Sequence, residues 1–219
     1  MIIYGFGGTN EDIAHLEAYL ENKGMDTHVV TLAGHGGTKW DLHKTSHMDW
    51  LESAKRETAD IAKNYDKVNL VGFSMGGLLS LHLSDIVQDG KIVLINTPIY
   101  CWNLGVITRS VISDLRSGER DNISYYMKNS GKYSAKSIID FFKLLHMSKR
   151  MLTKTSRECL VLQCMEDEIV HHKSGDYLKD KLGENAKLKY YDGGFHQVFV
   201  KAVDIRDDLC EDIYSFLRK

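Results

Sequence analysis

The sequence predicts an α/β protein built on a mostly parallel sheet flanked by helices. Two observations predict it. Short β-prone runs alternate with amphipathic helical patterns over most of the chain, the signature of strands joined by crossover helices. One such run, Val68-Asn69-Leu70-Val71, breaks at Gly72-Phe73-Ser74-Met75-Gly76-Gly77 and passes directly into the helical pattern Leu78, Leu79, Leu81, His82, Leu83. Gly-x-Ser-x-Gly between a strand and a helix puts a serine on a tight turn, where side chains at the flanking positions would strike backbone. The helix that follows aims its free N–H groups and positive dipole end at any negative charge developing there.

Ile2-Ile3-Tyr4 is a short strand, and Thr9-Asn10-Glu11-Asp12 has the form of a capping box that starts a helix. Ile13, Leu16 and Leu20 give that helix its buried face, and Gly24 ends it. Residues 28–32 read as the next strand. Residues 47–65 read as a helix with Leu51, Ala54, Thr58, Ile61 and Ala62 on one side. The strand and helix around Ser74 follow, then the strand Ile92-Val93-Leu94-Ile95. Residues 159–162 and 188–191 are two further strands, and residues 205–217 form a last helix that buries Leu209, Ile213, Phe216 and Leu217.

Between Pro98 and Thr155 the alternation lapses. The segment is rich in Tyr, Phe, Met and Lys. It reads as helices without strands, one around Ile107, Val111, Ile112 and Leu115 and another around Ile138, Phe141, Phe142 and Leu145. The expected organisation is a core of residues 1–97 and 156–219 with a helical cap insertion at 98–155.

Composition narrows the function classes. The 219 residues fit one large α/β domain or two small ones, with 43% hydrophobic and 26% charged residues, as in ordinary globular proteins. The net charge of −2, with both signs scattered, gives no nucleic-acid footprint. No apolar run approaches the ~20 residues of a membrane span, and no basic-then-apolar leader is visible. The four cysteines, Cys101, Cys159, Cys164 and Cys210, lack metal or disulfide-framework spacing and read as reduced thiols of a cytoplasmic protein.

A serine hydroxyl becomes a nucleophile only when a base takes its proton and a third group orients the base. For a serine on this kind of turn the chain order is serine, acid, histidine. The acid is expected in the loop after strand 159–162, where Glu166, Asp167 and Glu168 compete. Asp167 is preferred for its short side chain in the middle of the turn. Glu166 and Glu168 are expected to face solvent or pair with lysines. The base is expected after the last strand, where Asp192-Gly193-Gly194-Phe195 leads to His196. His35 is expected to tie its own glycine-rich loop, His82 to pack within its helix, and His171 and His172 to start a helix. No histidine pair has metal-ligand spacing. Two N–H groups must hold the oxyanion. Met75, following the serine, supplies one, and Phe6 in the loop Gly5-Phe6-Gly7-Gly8 is the candidate for the other. That loop lacks the Lys-Ser/Thr of a phosphate-binding loop and the spacing of a dinucleotide fingerprint.

The chain resembles the α/β-hydrolase superfamily and, within it, the small bacterial carboxylesterases related to monoacylglycerol lipases. The stretches that carry the resemblance are Gly5-Phe6-Gly7-Gly8, Ala33-Gly34-His35-Gly36, Gly72 to Gly77, Asn96-Thr97-Pro98-Ile99-Tyr100, and residues 163–167 and 211–217, so it spans nearly the whole length. It implies a triad of Ser74, Asp167 and His196, an oxyanion hole from the Phe6 and Met75 N–H groups, and a small helical cap. It also implies hydrolysis of a small-molecule carboxylic ester of short to medium acyl length, with no cofactor. A thioesterase or carbon–carbon-bond hydrolase would use the same triad, and a non-catalytic ligand-binding member of the fold is the alternative from another class. Three departures stand out. Tyr4 replaces the usual histidine before Gly5, and Phe195 replaces a small residue before His196, where it is expected to narrow the pocket. The family's N-terminal strand pair is missing, which would leave residues 28–32 as a bare edge. That edge is expected to be covered by a flanking helix or a partner chain, as in a homodimer.

Overall fold

The computed structural model describes residues 1–87, 89–101, 133–153, 155–200 and 203–219. A five-stranded parallel sheet runs in the order β1 (Ile2–Ile3), β2 (Leu70–Phe73), β3 (Ile92–Ile95), β4 (Cys159–Cys164) and β5 (Ala186–Tyr191). Val71 sits opposite Val93, and Val93 opposite Leu160. Every residue of β2, β3 and β4 is buried, as a parallel sheet covered on both faces requires.

Beyond β1 the expected strand at 28–32 is reduced to one parallel bridge, Ile2 to Val29. The Ile2 N–H donates to the His28 carbonyl at 2.8 Å and the Val30 N–H to the Ile2 carbonyl at 3.0 Å. The ladder stops because the next amides find side chains instead. Leu32 N–H donates to the Tyr4 hydroxyl (3.1 Å), Thr31 N–H to Glu57 Oε2 (2.9 Å) and Ala33 N–H to Ser53 Oγ (3.0 Å). Glu57 and Ser53 belong to α3 (His47–Ala62), so the flanking helix expected over this edge is α3.

The winding of the chain places the site. From β1 it passes through α1 (Ala14–Asn22) to the edge segment, then returns through α3 to β2 on the other side of β1. Right-handed crossovers put α1 together with α7 (Val203–Leu217) on one face, and α3 together with α4 (Met75–Leu83) on the other. The direction of winding therefore reverses between β1 and β2, and such a reversal opens a crevice beyond the carboxyl ends of those strands. The loop after β1 and the turn carrying Ser74 emerge there.

Three further α-helices complete the described structure, beside a short 3₁₀ turn at Asn10–Asp12 that the Thr9–Asp12 capping box holds. A short α2 (Lys39–Lys44), held by reciprocal Thr38–Asp41 capping, was not anticipated from the sequence. Helix α5 (Ala135–Met151) packs on α3 and α4, and α6 (Lys173–Leu182) connects β4 to β5. The helix expected around Ile107 to Leu115 lies outside the described residues.

Ser74 has φ 54° and ψ −122°, a strained conformation for a residue with a side chain. The surrounding glycines make it feasible. A Cβ on Gly72 would fall on the backbone of Gly76 and Gly77, and one on Gly76 would fall on the Ile3 carbonyl of β1. Gly76→Ala therefore forces β1 and α4 apart. Urea unfolding is expected to show a loss of ~3 kcal/mol, the upper range for overpacking. A stability equal to that of the parent protein would show that the close approach is not required.

Candidate active site

Three loops at the carboxyl edge of the sheet bring together side chains far apart in sequence. Ser74 comes from the β2–α4 turn, Asp167 from the loop after β4, and His196 from the loop after β5. His196 Nε2 lies 3.0 Å from Ser74 Oγ, and Nδ1 lies 2.8 Å from Asp167 Oδ2. The three residues are 7%, 3% and 5% exposed in the order Ser74, Asp167, His196. The other oxygen of Asp167 accepts the N–H groups of Ile169 (2.8 Å) and Val170 (2.7 Å), which fixes the carboxylate within its own loop. The imidazole thus faces the Asp167 carboxylate with Nδ1 and the Ser74 hydroxyl with Nε2. The Phe73 ring, 5.3 Å from the imidazole between centroids, walls it on one side. The sequence order serine–acid–histidine thus leads to side chains that meet.

The neighbours of Asp167, Glu166 and Glu168, are exposed as expected, and they also hold backbone N–H groups of the histidine loop. Glu166 Oε2 accepts from Gly193 N–H at 2.6 Å and Glu168 Oε2 from His196 N–H at 2.9 Å. A further residue, Asn96, was quoted in the sequence without a role. It is fully buried at the end of β3 with φ 46°. Its Nδ2 donates to the His196 carbonyl (3.2 Å), while its Oδ1 accepts from Cys164 N–H (2.8 Å). One amide therefore joins the acid strand to the histidine loop. A polar residue directly after the apolar run Ile92-Val93-Leu94-Ile95 was the available signal, since a buried polar group must find partners.

The candidate oxyanion donors lie beside Ser74. Met75 is the first residue of α4, so its N–H has no partner within the helix. Gly5 packs against the serine, where an added Cβ would stand 3.1 Å from Ser74 Cβ and 3.5 Å from Oγ. Phe6 follows, its ring 4.7 Å from Tyr133, 5.3 Å from Phe141 and 5.6 Å from Trp50 between centroids. Tyr4, directly before this loop, is tied down by its hydroxyl, which accepts from Leu32 N–H. The His35 ring packs on Tyr4, Phe6 and Trp50 and donates from Nδ1 to the Ala33 carbonyl at 3.1 Å, tying its loop as expected.

A cavity of about 330 Å³ opens onto Ser74 and His196. Phe6, Tyr133, Phe141 and Phe142 make much of its wall apolar. Phe195, expected to narrow it, is 46% exposed and does not line it. Cys101 does line the cavity, but burial pushes its thiol up to about 12, so it stays protonated and is no rival nucleophile. A second cavity of about 390 Å³ lies at the amino ends of β1 and β2, around Met1, Met25 and His28, and contains no serine–histidine pair. Among the described residues no group of three or more His, Cys, Asp or Glu side chains could hold a metal ion. Among them, too, no helix is long and apolar enough to cross a membrane.

No family model matches the chain. It is 23% identical over 227 aligned positions to a carboxylesterase of Bacillus subtilis (strain 168), covering 100% of this chain and 92% of that protein. It is 23% identical over 198 positions to a thermostable monoacylglycerol lipase of Bacillus sp. (strain H-257), covering 85% of this chain and 77% of that one. Among solved structures, a soluble variant of the monoglyceride lipase of Saccharomyces cerevisiae superposes with a TM-score of 0.78 at 15% identity, over 99% of this chain and 85% of that one. The fold is that of the α/β hydrolases.

Burial holds the His35 imidazole down at about 4, from an ordinary value of 6.5, so the ring is neutral in the folded protein. Between those values the unfolded chain binds more protons, and stability falls as pH drops through the window. His82, half-buried against Ser148 of α5, shifts the same way to about 4. Urea unfolding at pH 7 and pH 4.5 is expected to show that His35→Gln loses about 2 kcal/mol less on acidification than the parent protein. Equal losses would show that His35 does not report its burial in this way.

Proposed function

We propose that the protein is a serine hydrolase that cleaves carboxylic esters of short to medium acyl length through an acyl-enzyme. The observation that carries the reading is the buried hydrogen-bonded line from Asp167 through His196 to Ser74. The names of the two Bacillus relatives support an ester as substrate. In the proposed cycle His196 Nε2 takes the proton of Ser74 as Oγ attacks the ester carbonyl. The carbonyl oxygen, now negative, is held by the Phe6 and Met75 N–H groups, each worth about 3 kcal/mol in such a site. The imidazolium gives its proton to the leaving alkoxide, and the alcohol departs. Water, deprotonated by the same nitrogen, then releases the acid and restores Ser74. Asp167 orients the ring and balances its transient positive charge.

Residues 98–155 are proposed as a cap, with α5 supplying Phe141 and Phe142 to the cavity wall. An apolar wall suits an acyl chain rather than a charged group. No cofactor is assigned to this cycle. All four cysteines are free thiols, which fits a reducing cytoplasmic setting.

Ser74→Ala is expected to lower p-nitrophenyl butyrate hydrolysis by at least about 10⁴-fold while circular dichroism stays unchanged. Parent-like turnover in that variant would end the proposal.

A further inference from the structure

We propose that Glu166 and Glu168 are positioning residues, whose carboxylates suspend the histidine loop by its backbone N–H groups and so set the distance between His196 Nε2 and Ser74 Oγ. The inference rests on the reading of Ser74, Asp167 and His196 given above. It begins from an unbroken series of bonds. Met165 N–H donates to the Tyr191 carbonyl at 2.9 Å, continuing the β4–β5 pairing past the strand ends. Beyond it, Glu166 Oε2 holds Gly193 N–H (2.6 Å), Asp167 Oδ2 holds His196 Nδ1 (2.8 Å), and Glu168 Oε2 holds His196 N–H (2.9 Å). Consecutive residues of one loop thus grip the other loop near its start and at its functional end.

The gripped loop needs such support. It contains Gly193, with φ 79°, followed by Gly194, and two adjacent glycines leave the unheld backbone many conformations. His196 is reached from three sides: ring by Asp167, N–H by Glu168, and carbonyl by Asn96 at 3.2 Å. Asp167 alone fixes the ring relative to the acid loop but leaves the backbone that carries it free to shift. Both glutamates are exposed, so water competes for the same N–H groups. An ionised carboxylate is the stronger acceptor, and its attachment to the acid loop restrains the donor in a way that water cannot.

Glu166→Ala, Glu168→Ala, the double variant and Glu168→Gln test this, with kcat and KM measured for p-nitrophenyl butyrate at 25 °C and melting curves taken alongside. Misplacing a reacting group by ~1 Å costs on the order of 100-fold, so each single alanine variant is expected to lose about tenfold in kcat and the double variant about a hundredfold. KM is expected to stay within about twofold in Glu166→Ala, because Glu166 does not line the cavity; Glu168 does, so its variants are read on kcat. Glu168→Gln keeps an acceptor oxygen and is expected to recover most of the kcat lost in Glu168→Ala. A purely structural role would lower the melting temperature and leave kcat of the folded fraction unchanged. Parent-like kcat in the folded double variant, or no recovery in Glu168→Gln, overturns the inference. Ser74→Ala assayed in parallel separates the two claims. If it is inactive while the glutamate variants match the parent, only the positioning role falls. If it stays active, the assignment of the site falls with it.

Discussion

The 3.0 Å contact between His196 Nε2 and Ser74 Oγ joins residues 122 positions apart, and both lie where water is largely excluded. Such a contact cannot be made by either loop alone. It needs the parallel sheet to bring the ends of β2 and β5 to one edge, with β3 and β4 between them fixing the span. It also needs partners for each polar group taken from water, since an unmet buried donor or acceptor costs roughly 1–3 kcal/mol. Asp167 spends its oxygens on two backbone N–H groups and the imidazole. Asn96 closes the remaining gap between the strand that presents the acid and the loop that presents the base. Two of the three described non-glycine residues with positive φ, Ser74 and Asn96, sit at the ends of adjacent strands. The apolar cores of β2 and β3 hold them there, which is how local strain persists at functional sites.

The wall opposite the serine is held just as specifically. Helix α5 is not merely laid on α3 by apolar contact. Asp140, almost fully buried on α5, meets His47 Nδ1 at 2.9 Å and Lys136 Nζ at 3.2 Å. His43 and Ser134 add a bond of 2.9 Å, and His82 joins Ser148 at 3.0 Å. These polar ties give α5 one register against α2, α3 and α4, because a shift would strand a buried carboxylate. Phe141 and Phe142 therefore reach the cavity from a fixed base, and Phe6 meets Phe141 from the other side.

The sequence spoke most clearly where geometry left no choice. Gly72 and Gly76 admit no side chain, so the turn around Ser74 was readable from five residues. Asp167 and His196 followed from chain order and from their positions just after strands. What escaped was decided by contacts between distant segments. Residues 28–32 have strand character, yet after Val30 the amides of Thr31, Leu32 and Ala33 go to Glu57, Tyr4 and Ser53, and no local pattern encodes that choice. Glu166 and Glu168 look like solvated acids until the backbone of residues 193–196 is brought beside them. Phe195 was expected to narrow the pocket and is instead largely exposed and outside its lining. The six residues of α2 fell below the length at which helical periodicity can be read.

The activation of one hydroxyl by one imidazole is tested most directly by labelling the folded protein with a fluorophosphonate and locating the adduct by peptide mass spectrometry. A single adduct on Ser74 is expected, with the labelling rate falling by about 10³-fold or more in His196→Ala. An adduct on another residue, or an undiminished rate without the imidazole, would contradict it.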